Sequence, residues 1–168
     1  NALEKVALGP EKKSRVLSDE ERNITAHHEV GHAVVGHLMP DCDPVHKLSI
    51  ISRGQALGIT WYLPEEDRHL YSKSKFESEL CAMLGGYVTE EIFFGQVTTG
   101  PSNDLERTTA MARRMVIEFG MSDLGPVTYG EKNHEVFIGR DIGHSKNYSE
   151  KTAYEIDLRV SNLIHEAY

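Results

Sequence analysis

The chain has 168 residues, 39% hydrophobic and 26% charged, which suits one globular domain with a real core and leaves little room for a second. Its formal net charge of -8 argues against nucleic acid as a partner, because phosphate binding favours an excess of Lys and Arg. Two cysteines, Cys42 and Cys81, match no CxxC pattern, and no run of about 18 apolar residues occurs, which argues for a reducing compartment and against a membrane span.

In chain order, "NALEKVALGPEKKSRV" lacks the apolar stretch of a signal peptide. The chain also stops at Tyr168 inside a helical pattern, so both ends read as cuts from something longer. Ser18 with Glu21 forms a capping-box signature, and the helix it opens is expected to reach Met39, before Pro40. "VHKLSII" and "ALGITWYL" read as two strands joined by a turn at Arg53–Gln55, with Pro64 closing the hairpin. A second helix is expected from residue 73 to Gly95, burying Phe76, Leu80, Met83, Leu84, Tyr87 and Val88 on one face. A third should open near Asn103, with Asn103 and Glu106 as its capping box, and run to Gly120. Residues 121–147 read as loop with short strands. A last amphipathic helix repeats Ala153, Ile156, Val160, Leu163, Ile164 and Ala167. The expected fold is mainly α: a helical domain with a small hairpin beside the first helix.

The chemistry concentrates in "NITAHHEVGHAVVGHLMP", residues 23–40. On a helix, residues four apart lie within roughly 40° of each other, so His28 and His32 can grip one ion, whereas His27 and His37 point elsewhere. Ile24, Gly31, Val35 and Met39 share that side, which makes it interior. Two buried histidines need partners, and a metal would satisfy both. The pattern is H-E-x-x-H, and zinc takes neutral imidazole nitrogen well. Glu29 would stand beside the ion, where a carboxylate can take a proton from a water that the metal has acidified. The competing readings are a chance match on a polar helix and a purely structural zinc. No cysteine lies nearby to complete the closed tetrahedron of a structural site.

The third ligand must come from another segment, because Val35 and Leu38 break the longer H-E-x-x-H-x-x-G-x-x-H pattern. Glu90, Glu91, Asp104, His46, His69, His134 and His144 are all candidates. Asp104 follows a tight loop in the first turn of a helix, which could fix it, yet an acid there is equally explained by the helix dipole. Spacing leaves the choice open.

The stretches "GPEKKSRVLSDEER", "HEVGHAVV", "LPEEDRHLYSK", "EEIFFGQVTTGPSNDLERTT", "ARRMVIEFGMSDLGP" and "IGRDI" together resemble, in order, the peptidase domain of the FtsH family of ATP-dependent, membrane-anchored zinc proteases. The resemblance covers nearly the whole chain and implies a zincin-type fold, with residues 1–168 as a single peptidase domain. It places the zinc ligands on His28, His32 and Asp104 and the catalytic glutamate on Glu29, with one zinc ion per chain. It implies polypeptide substrates, a homo-hexamer in the full-length protein, and ATP used only through an upstream ATPase module. The P-loop and membrane anchor of the family are absent from this stretch, so a soluble piece of a membrane-anchored parent is expected, facing the cytoplasm or an organelle matrix. The C-terminal helices look truncated. Tyr87 stands where the family usually has arginine, Thr89 where it has alanine, and "ISRG" replaces I-P-R-G at 51–54.

Substrate is expected to lie extended along the second strand, on Gly58, Ile59 and Thr60, adding a strand through main-chain bonds. An ordinary sheet edge is the plainer reading of that segment. A catalytically inactive zinc-stabilised scaffold and a zinc amidase are the other function classes. Glu90 and Glu91 are the candidates to hold the imidazole rings from behind.

Overall fold

The computed structural model describes residues 17–51, 57–64, 69–130 and 147–168. Helix α1 (Asp19–Leu38) begins as the capping box requires. Glu21 N–H donates to Ser18 Oγ at 3.2 Å, and Glu21 Oε2 accepts from Ser18 N–H at 2.9 Å. Asp19, Glu20 and Glu21 fill its first turn, where the helix dipole favours acids. Met39 caps the other end, just ahead of Pro40.

Strands β1 (Val45–Ser49) and β2 (Ile59–Tyr62) pair antiparallel, Ser49 opposite Ile59 and Leu48 opposite Thr60. The register slips between Val45 and Lys47, and Leu63 N–H closes the ladder on the Pro44 carbonyl at 3.1 Å. Both strands are shorter than their β-prone runs, and the expected turn at Arg53–Gln55 lies outside the described residues, as do His134, His144 and "IGRDI".

Helix α2 (Lys73–Phe94) is capped by Ser72 and ended by Gly95, whose φ of 67° suits glycine. Helix α3 (Ser102–Ile117) departs from expectation at both ends. The Asn103/Glu106 capping box does not form. Pro101 occupies the N-cap position, so Asn103 already lies inside the first turn and cannot cap it. The helix stops at Ile117, where Tyr129 N–H takes up the Ile117 carbonyl, and Gly120 adopts φ 61° three residues later. No strand forms over 121–130. Helix α4 (Glu150–Ala167), capped by Ser149, completes the described elements.

The apolar core joins Leu80 of α2, Ala112, Met115 and Val116 of α3, and Ile156, Val160 and Leu163 of α4. Phe76 and Met83 pack against it, as their helical spacing predicts. The expectation of one buried face on α2 is incomplete. Ser78, Ala82, Gly85, Gly86 and Glu90 are buried as well, and this second face receives α1. On α1 the most buried residues are Thr25, Glu29, Gly31, His32 and Gly36, so its interior arc is turned toward Glu29, leaving Ile24, Val35 and Met39 half-buried. Tyr87 stands edge-on to the Tyr168 ring at 6.1 Å between centroids.

The two helices meet backbone to backbone. A Cβ on Gly31 would come within 2.4 Å of the Gly85 carbonyl oxygen, and one on Gly85 within 2.7 Å of the Gly31 oxygen. Gly31→Ala is therefore expected to destabilise by about 1–3 kcal/mol, as overpacking does. On an open helix surface the same change would stabilise by up to about 1 kcal/mol. The urea midpoint decides, and a raised midpoint would refute the close crossing.

Candidate metal centre

The crossing sets His28 and His32 of α1 against α2, and the loop after α2 delivers Asp104 in the first turn of α3. His28 Nε2 and His32 Nε2 are 3.0 Å apart. Asp104 Oδ2 lies 3.2 Å from the first and 3.4 Å from the second. These side chains are 12%, 10% and 18% exposed, so the cluster is largely shielded from water.

Behind the rings, each Nδ1 is engaged. His32 Nδ1 lies 2.8 Å from the Ala82 carbonyl oxygen, which can only accept, so Nδ1 carries the proton and Nε2 presents a lone pair. His28 Nδ1 lies 2.9 Å from Glu90 Oε1. Glu90 is 1% exposed, and its other oxygen accepts from Thr98 N–H at 2.8 Å. A carboxylate accepts a hydrogen bond from His28 Nδ1–H, which keeps the proton on Nδ1 and turns that Nε2 lone pair forward too. Two lone pairs and a carboxylate oxygen then converge, an arrangement that repels itself unless a cation or proton sits between. Ligand atoms around a tetrahedral zinc with bonds of about 2.0–2.1 Å stand roughly 3.3–3.4 Å apart. The donor set fits that ion.

The electrostatics follow from burial. Burial opposes a charge on His28, but the hydrogen bond and charge of Asp104 outweigh it, with Glu29 and Glu90 adding, and raise its pKa. Burial likewise pushes Asp104 upward, yet where a proton rather than a cation bridges it to the rings, its hydrogen bonds to His28 and His32 hold the carboxyl well below the usual range. Glu29 is raised by burial, partly offset by a hydrogen bond from Thr60.

Glu29 is 7% exposed and faces the hairpin. The Thr60 hydroxyl donates to Glu29 Oε2 at 2.7 Å, and a Cβ on Gly58 would stand 2.5 Å from Oε1. The structure thus brings Gly58 and Thr60, expected along a substrate strand, against Glu29. Ile59 pairs with Ser49.

The other third-ligand candidates go elsewhere. Among the described residues, the cluster of possible ligands with converging atoms is His28, His32 and Asp104. His46 stands edge-on to Trp61, and His69 is exposed. Glu91, named with Glu90 as a support for the rings, is exposed and accepts from the Tyr168 hydroxyl instead. One position along a helix turns a side chain by about 100°, and that separates the two acids. His27 binds the Asn23 carbonyl and packs on Phe93 and Phe94. Sequence reasoning missed the Ala82 carbonyl and the Thr60 hydroxyl: a backbone acceptor has no residue signature, and the threonine sits in a plain β-prone run.

A family model described as Peptidase family M41 matches residues 15–168. The chain belongs to that family. It is the peptidase domain of FtsH-type proteins, and its relatives agree along its whole length. An ATP-dependent zinc metalloprotease FtsH of Acidobacterium capsulatum is 51% identical over 168 residues, covering 100% of this chain and 26% of the relative. The ATP-dependent zinc metalloprotease FtsH 3 of Symbiobacterium thermophilum is 54% identical over 170 residues, covering 100% and 27%. That of Synechocystis sp. is 51% identical over 174 residues, covering 100% and 28%. The chain spans about a quarter of the length of these curated relatives. Among the described residues no helix is long and apolar enough to cross a membrane.

Glu90 locks the His28 tautomer. Glu90→Ala is expected to weaken zinc binding about 10–100-fold. Competition against a chromophoric chelator measures this, and unchanged affinity would mean that His28 is held by something else.

Proposed function

We propose that His28, His32 and Asp104 hold one zinc ion and that Glu29 is the general acid–base group of a zinc endopeptidase of the H-E-x-x-H type. The observation that carries this reading is the pair of committed Nδ1 atoms, which leaves both Nε2 lone pairs facing Asp104 Oδ2 at 3.2 and 3.4 Å. A zinc ion bound there supplies Lewis acidity, making water a stronger acid and polarising a peptide carbonyl. The rest falls to the chain's own groups. Glu29 takes the proton of the attacking water on its carboxylate and returns it to the departing amine nitrogen. Burial, which raises its proton affinity, suits both halves of that exchange.

Strand β2 offers the place for substrate. It pairs with β1 on one edge, and among the described residues no strand pairs with the other. An extended polypeptide adding there would run past Gly58, Ile59 and Thr60, beside Glu29. Gly58 lets two backbones approach and leaves the carboxylate its space. Unfolded segments fit this mode, because a folded protein does not offer a free strand. In the longer protein we assign the delivery of such segments, including those of membrane proteins, to an attached ATPase in a homo-hexamer. The relatives' printed description as ATP-dependent supports that assignment. An inactive scaffold would have no use for a buried carboxylate gripped by a strand, which argues against that alternative.

Glu29→Gln keeps the shape and removes the proton acceptor. Peptide hydrolysis is expected to fall by about 100-fold or more, the range of a lost general base, with zinc content unchanged. Activity near that of the unaltered protein would refute the role of Glu29. Loss of zinc together with activity would instead make Glu29 a ligand.

A further inference from the structure

Strand β2 turns two hydroxyls toward α1. Tyr62 donates to the His32 carbonyl oxygen at 2.6 Å, and its ring covers Gly36. The Thr60 hydroxyl lies 2.7 Å from Glu29 Oε2 and 2.9 Å from the Glu29 carbonyl oxygen. A hydroxyl has one proton, and here both of its acceptors belong to one residue. Donating to Oε2, the nearer of the two, it ties the end of the Glu29 side chain to strand β2. Gly58 stands against the same carboxylate, where a Cβ would also come within 2.7 Å of Cγ.

We infer that Thr60 is the positioning residue of the Glu29 carboxylate: its hydroxyl, held on the strand that borders the site, fixes the side-chain orientation in which Glu29 exchanges protons. This rests on the reading of Glu29 given above. Among the described residues only Thr60 donates a hydrogen bond to that carboxylate, at Oε2, while Gly58 stands against Oε1. Proton transfer requires hydrogen-bond reach in the reacting geometry, and a long side chain without a second anchor spends much of its time outside it. Two other roles for the hydroxyl are less consistent with the geometry. A direct contact with substrate could only be as an acceptor, because the hydroxyl's one proton is directed at Glu29. A mere latch between hairpin and helix is already provided by Tyr62, so removing the Thr60 hydroxyl leaves the hairpin anchored.

The test compares Thr60→Val, which keeps shape and β-branching, with Thr60→Ser, which keeps the hydroxyl, in the zinc-loaded full-length protein acting on a short unstructured peptide. Thr60→Val is expected to lower kcat about tenfold or more, the scale of a lost hydrogen bond to a charged group, with KM within about twofold. Thr60→Ser should restore kcat to within about threefold of the unaltered protein. Zinc affinity, read by chelator competition, should be the same in all three. An unchanged kcat in Thr60→Val overturns the inference. So does a raised KM at unchanged kcat, which would place the hydroxyl on substrate, or an equal loss in the serine variant, which would make the methyl the working part. Should the valine variant not fold, Thr60→Ala replaces it under the same criteria. Glu29→Gln, run in parallel, separates the two readings. If it stays active, the role of Glu29 falls and this one with it. If it is inactive while Thr60→Val keeps full kcat, only the Thr60 inference falls.

Discussion

The close crossing of α1 and α2 is the constraint on which the rest depends. Where Gly31 meets Gly85, two helical backbones approach to a distance that no side chain would permit. That approach brings the Ala82 carbonyl within reach of His32 and Glu90 within reach of His28. Gly86 repeats the device one residue later: a Cβ there would strike the His28 ring at 2.4 Å from Cε1. Small residues are thus placed where the rings must be held from behind. Wider separation of the helices would leave both imidazoles free to turn, and their lone pairs would no longer be aimed.

A single buried carboxylate links this crossing to the third element of the site. Glu90 has one oxygen on His28 and the other on the Thr98 amide, so α1, α2 and the loop that leads into α3 meet at one side chain. An unpaired charge at 1% exposure would be costly, and two donors offset that cost. The loop it ties down ends at Pro101, whose burial and restricted φ start α3 early enough to place Asp104 in the first turn. Asp104 does not spend its carboxylate on capping the helix. It turns to the two histidines, and the Thr108 hydroxyl takes up its carbonyl one turn on.

Much of this was legible in the sequence, and the failures have physical causes. The helix carrying H-E-x-x-H announced itself by its capping box and by the i, i+4 histidines. α4 did so by an apolar repeat that Ile156, Val160 and Leu163 satisfy in the core. The second buried face of α2 gave no such signal, because it is built from serine, alanine, glycine and glutamate, chosen for size and donors rather than hydrophobicity. Asp104 could be narrowed from the chain alone but was assigned only by family resemblance, since its partners lie far away in sequence. The capping box expected at Asn103 failed because a proline two residues earlier had already begun the helix. Thr60 was noticed as part of a strand, but its side chain's target depends on a packing that no local pattern encodes.

The span between His28 and Asp104 has one more consequence. They are separated by 76 positions, with the hairpin and the whole of α2 between them. No single helix or hairpin contains the three-point cluster, so it exists only after α3 has docked on α2 and α2 on α1. A chain still emerging from synthesis, or one loosened at the α2–α3 contact, carries the two histidines without their partner. On the function proposed above, a centre that formed early would be a hazard to unfinished copies of the same chain. Dividing the centre between the first and the third helix makes complete tertiary assembly the safety catch.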